Sequence, residues 1–478
     1  MSETITEMIL PGTYIDVRAE GLIGVSGIAS GNVGVVGTAN RGPLGRAVLL
    51  GSYADAVETF GSYDRWPDQA SDQPRALTLT RTLEQLFKGG ATTVYAVRVA
   101  NITGIMPSTT WSVARVVAGP ADDELFKIVA RTPGTWANDI VITLAAPTGQ
   151  PVTVSIVYGR QKEQFEAETA EDLADAIADG SALVTTTDLD TDAADERPTR
   201  ISAPVTVSSN GDAATTTEVA AGLALLAPRP VNIVVVGGMD AKTAAGTVLA
   251  HLEATENDGR ERLAVLGASS NTPDTVISDD VSAGSNPRLV LVAPGIQTDD
   301  AARVGEASKR VSLPPSYGAA LVAGKLATLA PHVSMTNKDV PADDVAVEYT
   351  RAQQKQLLTN QVLVLHKSLG IRVLKGITTD TGAFRQISVR RIVDYAKEGV
   401  RRGSNPYIGR LNNSRVRGAL KATLDGFLSG MVLDEMLVAY KLEVSATRAQ
   451  EIVGQAIVTM TLQPTFSIDF VKVIMNLE

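Results

Sequence analysis

Hydrophobic and polar positions alternate along the last stretch of the chain, "PTFSIDFVKVIMNLE". Phe466, Ile468 and Phe470 are separated by Ser467 and Asp469, and Val471, Val473, Met475 and Leu477 continue the run with Lys472 and Asn476 between them. A period of two predicts a pleated strand. No later hairpin follows to cover its outer edge, so its backbone groups and apolar faces invite a partner. The other end repeats the situation: "PGTYIDVRAEGLI" turns at Pro11 and Gly12 and then sets Tyr14, Ile15 and Val17 in a short β-prone run. Both ends read as arms, over residues 1–22 and 461–478.

Between the arms the pattern changes in blocks. A buried strand is expected around Val33 to Val36, a loop at Gly42 and Pro43, a helix capped by Ser52, and a second helix from about Ala76 to Lys88 that leads through Gly89 and Gly90 into the strand "TVYAVRVA". From 101 to 225 the texture turns to short Thr- and Val-rich strands with one helix at "TAEDLADAIADG". Strand and helix then alternate again through "VNIVVVGG", a helix from Ala241 to Thr255, "RLAVLGA" and "RLVLVAPG". Such a βαβ series argues for a mainly parallel sheet covered by helices. The fold expected is a multidomain α/β protein. Its core lies in two halves (23–100 and 226–345), with an inserted mainly-β domain (101–225) and a C-terminal α/β domain (346–460) followed by the last strand arm.

Composition narrows the chemistry. A length of 478 residues suits about three domains, and with only 4% aromatics their cores must be filled by aliphatic side chains. The absence of cysteine removes disulfides, thiolate metal sites and thiol nucleophiles together. The opening "MSETITEMILPG" does not read as a secretory signal, and the most apolar run is cut by Pro228, Arg229 and Pro230, so a soluble product made in the cytoplasm, without membrane insertion, is expected. Net charge is −10, yet residues 345–425 hold 15 Lys and Arg against 5 Asp and Glu. The centre of this excess is a helix from Phe384 to Arg402 with Ile387, Ile392, Val393, Ala396 and Val400 as its buried stripe. Asp394 and Glu398 are spaced to pair with Lys397, Arg401 or Arg402. The helix reads either as a face for an acidic partner or as a surface paired with its own neighbours. No nucleic-acid motif accompanies it, and nucleic acid is not an expected partner.

The candidate chemical motifs fail one by one. "YGAALVAGKLA" places Gly318 one residue too far from Gly324 and Lys325 for a phosphate loop, and Leu326 stands where a hydroxyl must bind magnesium. Gly237 and Gly238 follow a strand and precede a helix but lack GxGxxG, so they serve to turn the chain. "DLDTDAADE" offers Asp188, Asp190 and Asp192, but Ala193 replaces the glycine of a calcium loop and Thr199 its closing glutamate. His251, His332 and His366 form no local metal or triad spacing, and Ser26 misses GxSxG. No catalytic residue, cofactor or metal is expected.

Several stretches resemble the contractile tail sheath proteins of phages, phage-tail-like bacteriocins and related injection systems. "PGTYIDV" is similar to the sheath opening, and "GVVGTANRGPLGRAVLLGSYADAVETFG" to the family's GxxGxAxxGP stretch and the helix that follows, ending here at Phe60 and Gly61. "FKGGATTVYAVRV" resembles its glycine pair and Arg-Val strand. "ARTPGTWANDIVITL" resembles the Pro-Gly-x-Trp-x-Asn signature through Pro133, Gly134, Trp136 and Asn138, with Ala137 where glycine is common. "LPPSYGAALVAGKLA", "SVRRIVDYAKEGV" and "GFLSGMVLDE" follow in the family's order, while "TLAPHVSMTNKDV" departs from its "WKAPAN" stretch.

The resemblance implies a subunit of a homo-oligomer of stacked rings or a helix around an inner tube protein, with baseplate and tail terminator or cap proteins as further partners. It implies inter-subunit strand exchange through Tyr14, Ile15, Val17, Phe466, Ile468, Phe470, Val471 and Val473, a form of β-augmentation. Arg390, Arg391, Lys397, Arg401 and Arg402 are expected to face the tube, against the alternative that they pair only with their own neighbours. The inserted domain is expected to point outward. An α/β nucleotide-binding enzyme and a non-contractile shell or tail protein are the competing readings.

Overall fold

The computed structural model describes residues 27–66, 77–101, 108–117, 122–207, 209–281 and 284–475. Among these, nine strands form one sheet in the order Asp339–Val340, Ile371–Val373, Val362–Lys367, Leu289–Ala293, Leu263–Gly267, Ile233–Val236, Val33–Gly37, Val94–Arg98 and Ala47–Leu50. The six strands from Val362–Lys367 to Val94–Arg98 run parallel, and antiparallel strands close both sides. Parallel strands covered on both faces read as continuous apolar runs, and "LVLVA" and "IVVV" are buried at every position. Helices Leu79–Gly89 and Pro315–Ala327 cover one face, through Leu83, Leu86, Leu321 and Val322. Helices Thr216–Leu226, Ala241–Asn257 and Arg351–Thr359 cover the other, through Leu223, Val248 and Leu357.

Two helices on the first face approach so closely that glycine is required. A Cβ on Gly324 would collide with the Leu86 carbonyl, and one on Gly89 with the Leu321 carbonyl. The glycine pair and the sequence "AGKLA" are therefore the two sides of one helix crossing. The segment that mimics a phosphate loop lies on a helix buried at almost every position.

Two domain boundaries move. The expected C-terminal domain at 346–460 begins too early, because Val362–Lys367 pairs in parallel with Leu289–Ala293 and completes the core sheet. The inserted domain likewise ends before 225: helix Thr216–Leu226 packs Val219, Leu223 and Leu226 against Val36 and Val97 of the core. Burial overrules the textural change seen along the chain, since both segments cover apolar sheet surface that would otherwise be wet.

The insert has its own core around Trp111, Phe126, Trp136, Leu173 and Ile177, built from a four-stranded sheet, a three-stranded sheet and helix Ala170–Gly180. Its seam to the body is polar. Arg98, buried in the body, donates to the carbonyls of Gly42 (2.8 Å) and Pro133 (2.6 Å), and burial holds its guanidinium down to about 10. Gly134 has φ +130, and a Cβ there would strike the Asn40 carbonyl. Asn138 accepts from Thr109 Oγ1 (2.6 Å) and Val207 N (3.0 Å), and donates to Val207 O (2.7 Å). The Pro-Gly-x-Trp-x-Asn signature is thus a joint. At its mouth Asn101 N donates to Gly211 O at 2.7 Å, so the chain enters and leaves the insert side by side.

Beyond the sheet, helices Ile387–Ser404 and Ser414–Leu433 carry an antiparallel hairpin of Leu437–Ser445 and Ile457–Pro464. Tyr440, Leu442, Met460 and Leu462 line its inner face against Leu428, Met431 and Phe427.

Candidate functional site

Among the described residues the expected strand over Phe466–Leu477 forms no ladder: the hairpin ends at Pro464, and residues 465–475 have no strand partner. A strand needs a neighbour for its backbone groups, and the described body supplies only isolated contacts, such as Thr465 N donating to Met436 O at 3.1 Å. Phe466, Ile468, Phe470, Val471 and Val473 are all largely exposed, from 63% to 83%. The N-terminal positions Tyr14, Ile15 and Val17 lie outside the described residues.

One residue of the tail is fixed. Asp469 is nearly buried and forms an ion pair with Lys375 (3.3 Å), accepts from Thr336 Oγ1 (3.2 Å) and accepts from Gln386 Nε2 (3.3 Å). Ser467 N donates to Gln386 Oε1 at 3.3 Å, and the Lys375 ammonium stands 4.9 Å from the Phe470 ring centroid. Gln386 is the residue that opens helix Ile387–Ser404.

That helix carries the five arginine and lysine positions expected to face a tube, and two of them are buried in the single chain. Arg390 is buried, with its guanidinium over the Phe384 ring (4.2 Å) and on Asp394 (2.5 Å). Arg391 is also buried and donates to the carbonyls of Ser30 (3.0 Å), Leu329 (2.8 Å) and Ala330 (3.3 Å), and burial holds it down to about 10. Desolvating a guanidinium is tolerated only when its donors are met, and here they are met inside the molecule. Lys397 pairs with Glu256 (2.9 Å), Arg401 with Glu261 (2.8 Å) and Glu398 (2.6 Å), and Arg402 with Glu398 (2.6 Å). Pairing with neighbours, the bland alternative, describes all five in the single chain.

The core partners of this helix carried no local signal in the sequence. Arg288, on the core sheet side, donates to both Glu256 (2.7 Å) and Asp394 (2.8 Å). Burial works against the charge on Arg288, but the two carboxylates outweigh it and its pKa is raised. The Arg288 hydrogen bond, with Lys397 assisting, pulls the Glu256 carboxyl down to about 2. Helix and core are therefore joined by alternating charges, beside a cavity of about 430 Å³ lined in part by Ser30, Asn232, Arg391 and Tyr395.

The place where an open α/β sheet binds nucleotides is filled by the protein. Strand order reverses between Val33–Gly37 and Ile233–Val236, and ligands of such folds sit at the carboxyl ends of the strands there. Thr78 occupies that crevice: its Oγ1 accepts from Thr38 N (3.1 Å) and its amide donates to Thr38 Oγ1 (3.1 Å). Gly238, at φ +73, turns away beneath it, and a Cβ on Gly238 would strike the Thr78 methyl. Among the described residues no group of three or more His, Asp or Glu could hold a metal ion, and no helix is long and apolar enough to cross a membrane.

Residues 379–478 match the family model of the phage tail sheath C-terminal domain, starting where the core sheet ends. No curated protein matches the chain in sequence. Among solved structures, the sheath tail protein of Desulfitobacterium hafniense is similar at 16% identity and a TM-score of 0.62, over 95% of this chain and 100% of that one. The sheath tail protein of Listeria innocua shares 16% identity at a TM-score of 0.65, over 92% and 93%. The helical sheath of the anti-feeding prophage in its contracted state shares 15% at 0.57, over 98% and 99%. The chain thus has the fold of these tail sheath proteins over nearly its whole length, and its last hundred residues are similar to the phage tail sheath C-terminal domain.

Proposed function

We propose that this protein is the structural sheath subunit of a contractile tail or tail-like particle, polymerising around an inner tube and shortening to drive that tube through a target envelope. The observation that carries the reading is the tail at 465–475, an apolar segment that has no strand partner among the described residues, on a body of sheath fold. A tail that lends its strand to a neighbour makes a heterologous contact, which propagates instead of closing on two subunits. Each ladder hydrogen bond contributes only about 0.5 to 1.5 kcal/mol net, so strength comes from many bonds per link. Contraction is then a switch between two sets of body contacts and requires no hydrolysis by the subunit.

Of the expected donor positions, Phe470, Val471 and Val473 lie beyond the Asp469 contacts and are the donors in this reading, Phe466 and Ile468 flank the root of the tail, and Tyr14, Ile15 and Val17 come from the other end. Of the basic helix, only Lys397, Arg401 and Arg402 retain exposure for a tube, and each already has a carboxylate. Their contribution to tube binding is accordingly small. A baseplate and a terminator complete the partners, the insert points outward, and the subunit is made in the bacterial cytoplasm. Against the enzyme reading stands Thr78, which sits at the sheet's switch point in hydrogen bonds to Thr38. Negative-stain microscopy of the purified protein tests the proposal: tubes or stacked rings are expected, and a monodisperse small oligomer at high concentration refutes it.

A further inference from the structure

Both ends of the described chain are held by one helix. At its start, Gln386 contacts Ser467 and Asp469 of the tail, with Lys375 and Thr336 closing around the Asp469 carboxylate. In its second turn Arg391 donates to Ser30 O, and toward its end Arg402 donates to Gly27 O (3.0 Å), which fixes the first described residues. From Gln386 to Arg402 the helix spans roughly 24 Å at ~1.5 Å per residue. The same helix is bolted to the core at Arg288–Asp394, Lys397–Glu256 and Arg401–Glu261.

We infer that helix Ile387–Ser404 is the tie bar of the subunit, with Lys375, Gln386, Asp469, Arg391 and Arg402 as positioning residues that fix where each linking segment leaves the body. The inference rests on the sheath reading above and deepens it. Asp469 is the pin: the exchangeable part of the tail begins at Phe470, and its nine residues to Glu478 reach roughly 30 Å at ~3.3 Å per residue. Tension arriving on either segment enters the helix directly and crosses to the other segment without passing through the insert or the hairpin. The root of the tail stays on the helix throughout assembly, and only the part beyond Asp469 changes partner.

The chain has no cysteine, so a single introduced pair can be linked without side reactions. Gln386→Cys with Ser467→Cys is joined by a short reducible bismaleimide and compared with wild type by sedimentation and negative stain. The linked protein is expected to polymerise within twofold of wild type. In parallel, Gln386→Ala with Asp469→Ala, its fold checked by circular dichroism, is expected to lose at least tenfold in polymer yield. Linked protein that assembles only after the linker is reduced overturns the inference, because the root then has to leave the helix. A folded double-alanine variant that assembles like wild type overturns it as well. Failure of wild type itself to polymerise is the separate result that removes the sheath reading, and this inference with it.

Discussion

Strands Leu289–Ala293 and Ile457–Pro464 are both rich in β-branched and aliphatic residues, yet one is buried at all its positions and the other at none. The first has a parallel neighbour on each side and a helix layer on each face. The second has one antiparallel neighbour, and its inner face is only partly covered. A two-stranded ribbon is marginal by itself in water. The difference separates a strand enclosed on both edges and both faces from a ribbon with one edge and one face still open among the described residues.

The largest test of that contrast is truncation after Pro464. The body should keep its thermal midpoint within about 2 °C, since no core side chain is lost, while polymer seen by negative stain disappears. A fall in the midpoint of more than about 5 °C would place the tail inside the folding unit and break the comparison. Next comes a pair of matched deletions. Leu363→Ala, in a fully buried core strand, should cost about 2 to 5 kcal/mol in denaturant unfolding. Leu462→Ala, on the half-covered hairpin face, should cost about 1 kcal/mol in the monomer, with a larger effect on the concentration needed for assembly.

The smallest effect expected is on the junction between the two regions. Glu256 is held at about 2 by Arg288 and Lys397, below its ordinary 4.5. A carboxylate with a depressed folded pKa contributes its full stability above the ordinary value and loses it as the pH falls through the folded one. The protection factors of amides in helix Ile387–Ser404, taken against the intrinsic exchange rate at each pH, should therefore fall between about pH 4.5 and 2, and Glu256→Gln should flatten that response. An unchanged pH profile in the variant would remove Glu256 from the joint.

The core strands and the helix ends were legible in the sequence because local rules suffice for them. Ser52 accepts from Asp55 N as an N-cap should, and "RLVLVAPG" could only be an interior strand. The strand Val362–Lys367 was misassigned because its neighbour, Leu289–Ala293, lies far back in the sequence, and periodicity carries no address. The fate of Arg390 and Arg391 was equally hidden. A run of arginines looks like a surface until the carbonyls of Ser30, Leu329 and Ala330 are brought to it by the fold. Glu398 with Arg402, by contrast, follows from spacing alone.

The doorway at Asn101 and Gly211 has a consequence for how this molecule can change. Because the chain enters and leaves the inserted module side by side, replacing it wholesale asks the body to accommodate only a new two-ended plug of the same width. A lineage can trade, enlarge or discard that module without reopening the question of how the rest folds, and a designer who keeps the Arg98 clasp inherits the same freedom.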